Sequence, residues 1–220
     1  MKVRIILSGQ FRGNDKSWNS LRKFKEKHDA EVYVGSNENW NLPFVFSYIK
    51  TNLRCENTIF EKSIHPHKDR YILQWSALYQ TYKHFCDMFD KDDIIIKLRN
   101  DLVFEPFELD GKLEETILVP EKEFHASFPF EPEFLCNDQV LYGTKRVMDV
   151  YFDFLYKFSW DKTHRTNHWV NHILKLNKKP MHSYLTWDCL KNFGIEEMIR
   201  GYFYQQGIKV KTFKLDYNKV

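Results

Sequence analysis

Three consecutive isoleucines, Ile94 to Ile96, lead through Lys97 and Leu98 into Arg99-Asn100-Asp101. An apolar run of that kind predicts a strand covered on both faces. In open α/β sheets, ligands bind outside the carboxyl ends of such strands. A guanidinium there matches the geometry of a phosphate, and a carboxylate can hold Mg²⁺ or Mn²⁺, which keep waters and phosphate oxygens as further ligands. Asp101 is therefore a candidate contact for a metal or a phosphorylated ligand, and Arg99 for a diphosphate. The two side chains can instead pair with each other and cap a turn, and spacing alone leaves both readings open.

Two other clusters have chemistry in reach. Asn137-Asp138-Gln139 interrupts an apolar context, Phe134 to Cys136 before it and Val140 to Tyr142 after it. Polar groups in such a setting need partners, which a ligand can supply; an Asx turn or helix cap is the plainer alternative. Ser8-Gly9-Gln10-Phe11-Arg12 follows the first apolar run. Glycine admits close backbone approach, and Gln10 and Arg12 can read a base or a phosphate. The segment is neither a G-x-G-x-x-G fingerprint nor a P-loop.

Other motifs are set aside. Asp90-Lys91-Asp92 has the form D-x-D, but it precedes the isoleucine strand and so falls at the wrong edge of a parallel sheet. His164, His168 and His172 share a helical face without the glutamate of a metalloprotease motif, and His65-Pro66-His67 reads as a helix-entry turn. Four scattered cysteines, Cys55, Cys86, Cys136 and Cys189, contain no C-x-x-C pair and read as reduced thiols.

The elements that must position these residues alternate. Strands are expected at Val3 to Ser8, Glu31 to Gly35, Thr58 to Glu61, Ile94 to Leu98, Thr116 to Val119 and Lys209 to Phe213, with Leu102 to Phe104 continuing past Asp101. Helices are expected at Lys16 to Lys27, Phe44 to Asn52, Lys68 to Phe89, Thr144 to Phe158, His164 to Leu176 and Ile195 to Gln206. The Lys68–Phe89 helix has a stripe through Ile72, Trp75, Leu78, Tyr79, Tyr82, Phe85, Cys86 and Phe89; Trp75 reads as core, and Gln74 beside it can face a cleft. Phe124 to Phe134 reads as an irregular loop, Asn137–Gln139 as the start of a segment leading into the next helix, and Lys214 to Val220 as a tail or linker without apolar period.

The strand–helix alternation predicts an α/β domain with a mixed, mostly parallel central sheet flanked by helices. At 220 residues one domain is expected, with residues 1–120 as an α/β half and 121–213 as a more helical half. A balance of 33 basic and 30 acidic residues leaves no nucleic-acid footprint. The amino-terminal apolar run is too short for a signal peptide and no stretch approaches a membrane span, so a cytoplasmic location is expected.

Four segments, in order, resemble small GT-A glycosyltransferases of the group that includes WavE-type lipopolysaccharide synthesis proteins, and glycosyltransferase domains of large algal viruses (chloroviruses). They are Ile6-Leu7-Ser8-Gly9-Gln10-Phe11-Arg12, Gln74-Trp75-Ser76-Ala77-Leu78-Tyr79, Ile96-Lys97-Leu98-Arg99-Asn100-Asp101-Leu102 and Asn137-Asp138-Gln139. The resemblance implies hexosyl or deoxyhexosyl transfer from a nucleotide-sugar donor, a UDP-sugar favoured, to a glycan acceptor, with further domains in a longer polypeptide. It makes Ser8, Gly9, Gln10, Arg12, Gln74, Lys97, Arg99 and Asn100 donor contacts. It makes Asp101 a catalytic residue and ligand of Mn²⁺ or Mg²⁺, and Asp138 an acceptor-side residue and general base. Where the family has D-x-D, this chain keeps the last acid alone. A sugar-nucleotide pyrophosphorylase and an inactive carbohydrate-binding module of the same fold are the alternatives.

Overall fold

Apolar runs without polar alternation require a sheet with helices on both sides, and the computed structural model has that arrangement. It describes residues 1–37, 43–61, 70–111, 113–121, 139–160, 199, 202–203 and 206–220. Strand β1 (Val3–Ser8), helix α1 (Asp15–Lys27), β2 (Glu31–Asn37), α2 (Pro43–Leu53) and β3 (Asn57–Glu61) come first. Helix α3 (Arg70–Phe85) then leads through a 3-10 turn (Cys86–Met88) to β4 (Ile94–Leu98) and the short β5 (Leu102–Phe104). After β6 (Thr116–Pro120) come β7 (Val140–Thr144), α4 (Lys145–Trp160), β8 (Lys209–Phe213) and β9 (Tyr217–Lys219).

Seven strands form one sheet in the order β3-β2-β1-β4-β7-β6-β8. Pairs β1–β2, β2–β3, β1–β4 and β6–β8 are parallel; β7 runs antiparallel to both β4 and β6. Ile5, Leu7, Val32, Val34, Ile94, Ile96 and Leu98 pack with α1 and α2 on one face, while Ile6, Tyr33, Ile95 and Leu141 pack with α3 and α4 on the other. Trp75 lies in this second layer, as its place in the apolar stripe predicts.

Three sequence expectations need correction. Val140–Thr144 is a strand, where the sequence reading had a lead-in to the next helix. Its Val-Leu-Tyr run followed by Gly143 carries a β signal, but an antiparallel strand breaks the βαβ alternation that guided the reading. The long helix stops at Phe85, although Phe89 still enters the core. Lys214–Val220 is not patternless: Phe213, Leu215 and Tyr217 alternate and pack on the α1 face, and β9 pairs antiparallel with β5. The expected helices His164 to Leu176 and most of Ile195 to Gln206 lie outside the described residues, as do Phe124 to Phe134, Cys136 and Cys189.

The amino edge of the sheet is closed by buried charge. Asp93, fully buried just ahead of β4, accepts from the Lys2 backbone N–H (2.7 Å), the Arg4 Nε (2.9 Å) and the Asp90 N–H (3.1 Å). Arg4 also donates to the Tyr33 hydroxyl (2.7 Å) and pairs with Glu31. The D-x-D of Asp90–Asp92 therefore lies beside a structural cluster, at the edge where its position in the sequence predicted it. Burial opposes ionisation of Asp93, but the Lys2 N–H, Arg4 and the Asp90 N–H outweigh it and hold the carboxyl below its ordinary value of 3.8.

Removing one partner of a buried pair leaves the other charge uncompensated, so Asp93→Asn is expected to cost about 3–5 kcal/mol in urea denaturation. The native carboxyl titrates below the unfolded one. Its contribution is complete above pH 3.8 and drains away as pH falls through the lower folded value. The variant's acid-unfolding curve should accordingly lose part of the wild-type slope in that range.

Candidate functional site

Strand β1 lies between β2 and β4. From its carboxyl end the chain turns to α1 on one face; it reaches β4 by way of α3 on the other face. The carboxyl edge between β1 and β4 is thus a topological switch point, the place where open α/β sheets bind ligands. Gly9–Arg12 and Arg99–Asp101 are the two loops that flank it.

Each loop has a backbone reason for its sequence. Gly9 has φ +94°, a conformation that side-chain-bearing residues rarely adopt, and the Ser36 hydroxyl at the end of β2 donates to its carbonyl (3.3 Å). A Cβ on Gly13 would lie 2.3 Å from the Asn100 carbonyl oxygen and 2.5 Å from the Ser17 hydroxyl. Only a bare backbone fits where the two loops touch. Asn14 then caps α1, accepting from the N–H groups of Lys16 and Ser17.

Asn100 bridges the two loops. Its amide nitrogen donates to the Gln10 carbonyl (3.1 Å) and its amide oxygen accepts from the Arg12 N–H (3.0 Å). The side chain is buried and both ends of its amide are used. With that segment fixed, Arg12 lays its guanidinium on the Gln10 side-chain oxygen (2.8 Å from Nε), and both residues are exposed. Gln74 of α3 meets the other end of the loop, its Cγ 3.7 Å from the position of a Cβ on Gly9.

Arg99 and Asp101 pair with each other. Arg99 Nε donates to Oδ1 (2.8 Å) and Nη2 to Oδ2 (2.5 Å), a bidentate fork. The Asp101 side chain is 8% exposed and that of Arg99 27%, so the anion is the inner partner and the cation the outer one. Burial pushes the Asp101 carboxyl up; the Arg99 hydrogen bonds and charge, a backbone N–H and the Lys219 charge outweigh it and hold the carboxyl below its ordinary range. Lys219 comes from β9, which pairs Leu102 with Lys219 and closes on the turn through the Val220 N–H and the Asp101 carbonyl (3.0 Å). The tail thus supplies a site-side cation that the sequence reading missed; the Phe213-Leu215-Tyr217 alternation was the signal for it.

This arrangement does not fit a divalent cation on Asp101. Both carboxylate oxygens face Arg99, the Asn100 amide is committed to the neighbouring loop, and among the described residues no three acidic, His or Cys side chains converge. Among the described residues Asp101 thus has no second metal-ligating side chain beside it, and the ion-pair reading of the triplet is the one the structure adopts.

Of the other sequence candidates, Ser8 ends β1 with its hydroxyl 3.0 Å from that of Thr81. Lys97 lies inside β4, 4% exposed, on the face shared with Ile95 rather than at the loop edge. Because β7 is antiparallel to β4, its amino end meets the same carboxyl edge, and the Gln139 carbonyl accepts from the Arg99 N–H (3.2 Å). Asn137 and Asp138, the residues just before Gln139, lie outside the described residues, as do His65, His67, His164, His168 and His172.

No protein-family model matches the chain, and no curated protein matches it in sequence. Solved structures do. The galactosyltransferase LgtC, in complex with donor and acceptor sugar analogs, superposes with a TM-score of 0.51 at 11% identity, over 94% of this chain and 72% of that one. The chain has the GT-A fold. A glycosyltransferase involved in glycosylation of the major capsid of PBCV-1 gives a TM-score of 0.50 at 8% identity, over 97% and 83% of the two chains. A nucleoside-diphosphate-sugar pyrophosphorylase from Vibrio cholerae RC9 gives 0.52 at 8% identity, over 96% and 91%. Among the described residues no helix is long and apolar enough to cross a membrane.

Asn100→Ala would leave the Gln10 carbonyl and the Arg12 N–H without their side-chain partners. It is expected to cost about 1–3 kcal/mol in chemical denaturation and to speed amide hydrogen exchange across Gln10 to Gly13.

Proposed function

We propose that this chain is a glycosyltransferase that moves a sugar from a nucleotide-sugar donor, a UDP-sugar favoured, to a glycan acceptor. The observation that carries the reading is the switch point between β1 and β4, where Asn100 joins Gly9–Arg12 to Arg99–Asp101, in a GT-A fold. The order of the four sequence segments supports kinship with WavE-type and chlorovirus transferases, and with it hexosyl or deoxyhexosyl transfer in the cytoplasm, the host's if the chain is viral.

Gly9, Gln10, Arg12, Gln74, Arg99 and Asn100 would line the donor, with Ser8 and Lys97 behind them. The anomeric C–O bond to the diphosphate breaks and its electron pair leaves with the phosphate. The acceptor oxygen forms the new bond, and its proton passes to a carboxylate base. We assign that base to Asp138, adjacent in the chain to Gln139, whose carbonyl holds Arg99 at the same edge. This role belongs to an inverting reaction.

A sugar-nucleotide pyrophosphorylase is the second reading, supported by the Vibrio cholerae neighbour of similar fold. Against it, Gly9-Gln10-Phe11-Arg12-Gly13 is short for a loop that must hold a nucleoside triphosphate.

A thermal-shift screen of UDP-, GDP-, CDP- and dTDP-sugars tests the assignment. At a hundred times Kd the right donor should stabilise the fold by about 2.7 kcal/mol, raising Tm by about 5–10 °C. A transferase then releases free sugar and nucleoside diphosphate slowly in water. Formation of sugar 1-phosphate and nucleoside triphosphate from pyrophosphate would establish the second reading, and no shift with any donor would favour a binding module. Asp138→Asn should keep the shift and lower donor hydrolysis by about 10²-fold or more.

A further inference from the structure

We infer that the Arg99 guanidinium, clamped by Asp101 and flanked by Lys219, is the counter-charge for the donor's diphosphate, in the place a divalent cation would otherwise take. The inference rests on the transferase reading above and specifies how that site binds its donor.

Breaking the anomeric C–O bond leaves its electron pair, and so an added negative charge, on the diphosphate. Something cationic must be fixed where that charge appears. A metal held by carboxylates is one solution; a guanidinium held by a carboxylate is another, because it offers planar N–H geometry matched to phosphate oxygens.

The pair is built for the second solution. Asp101 is the buried partner and grips Arg99 through two hydrogen bonds, which fixes a side chain that would otherwise have several rotatable bonds. The Arg99 backbone is held as well, its N–H on the Gln139 carbonyl. A guanidinium restrained at both ends loses little further freedom when it meets an anion. Across Gly9–Arg12, Arg99–Asp101 and Tyr217–Lys219, three cationic residues, Arg12, Arg99 and Lys219, accompany one carboxylate, Asp101. A metal on Asp101 would have to displace a bidentate guanidinium and then share a small volume with it. The replacement of the first acid of a D-x-D by Arg99 is then a substitution of one cation source for another.

Calorimetric titration with UDP, in EDTA and in Mn²⁺, tests this. Wild-type affinity should agree within about twofold between the two buffers. Arg99→Met should weaken UDP binding by about 10–100-fold in both. Asp101→Asn, which loosens the clamp but keeps the cation, should weaken it less. Lys219→Met, at an exposed position, should weaken it severalfold without loss of fold. Binding that requires Mn²⁺, is abolished by Asp101→Asn and survives Arg99→Met would overturn the inference and leave the transferase reading standing. Unchanged affinity in both Arg99→Met and Lys219→Met would overturn it as well. Failure of UDP, GDP, CDP and dTDP to bind in either buffer would overturn both readings.

Discussion

Parallel neighbours cannot be joined by a hairpin, so nothing in the β1–β4 pairing itself holds together the loops at its carboxyl end. One buried amide does. Asn100 gives a hydrogen bond to the Gln10 carbonyl and takes one from the Arg12 N–H, which ties the end of β4 to the loop after β1. The other features of the site follow from that tie. Gly13 must lack a side chain because Asn100 brings its own backbone up against it, and Gly9 must turn with positive φ to carry the chain out from β1. Arg12 and Gln10 can pair on the surface because their backbones are already fixed.

The two ends of the sheet treat charge in opposite ways. At the amino edge, Asp93 and Arg4 are both inside, and their hydrogen bonds are spent on Lys2, Asp90 and Tyr33. That cluster welds β1 to the entry of β4 and has little left to offer a ligand. At the carboxyl edge the anion is inside and the cation outside, with a second cation added from β9. Acidic residues near the first edge resemble a metal motif only when the direction of the strand is ignored. The strand direction decides which of Asp90–Asp92 and Arg99–Asp101 can meet a donor.

Most of the parallel half was legible in the sequence because its signals are local. Val3–Ser8 and Ile94–Leu98 are mostly apolar runs, Lys209–Phe213 alternates lysine with Val210 and Thr212, and the strands fall on those residues. Two elements were not read. Val140–Thr144 depends on pairing with β4 and β6, partners far away in sequence, and its direction is opposite to theirs. Tyr217–Lys219 is three residues long and takes its identity from β5. In the site, the nearness of Gly9–Arg12 to Arg99–Asp101 was readable from the switch-point rule. That Asp101 would be gripped by Arg99 was one of two open readings, since a spacing of two residues permits the pair without requiring it. The bridging role of Asn100 had no local signal, because the groups it joins lie about ninety positions away along the chain.

The central claim is that ligand binding converges on the two loops that Asn100 joins. Hydrogen–deuterium exchange of the intact protein with and without saturating UDP tests it most directly. The account predicts slowed exchange in the peptides covering Gly9 to Gly13 and Arg99 to Asp101, with the Lys2-to-Arg4 and Asp90-to-Asp93 region unchanged. Protection confined to that amino edge, or UDP binding that leaves both loops exchanging as before, would contradict it.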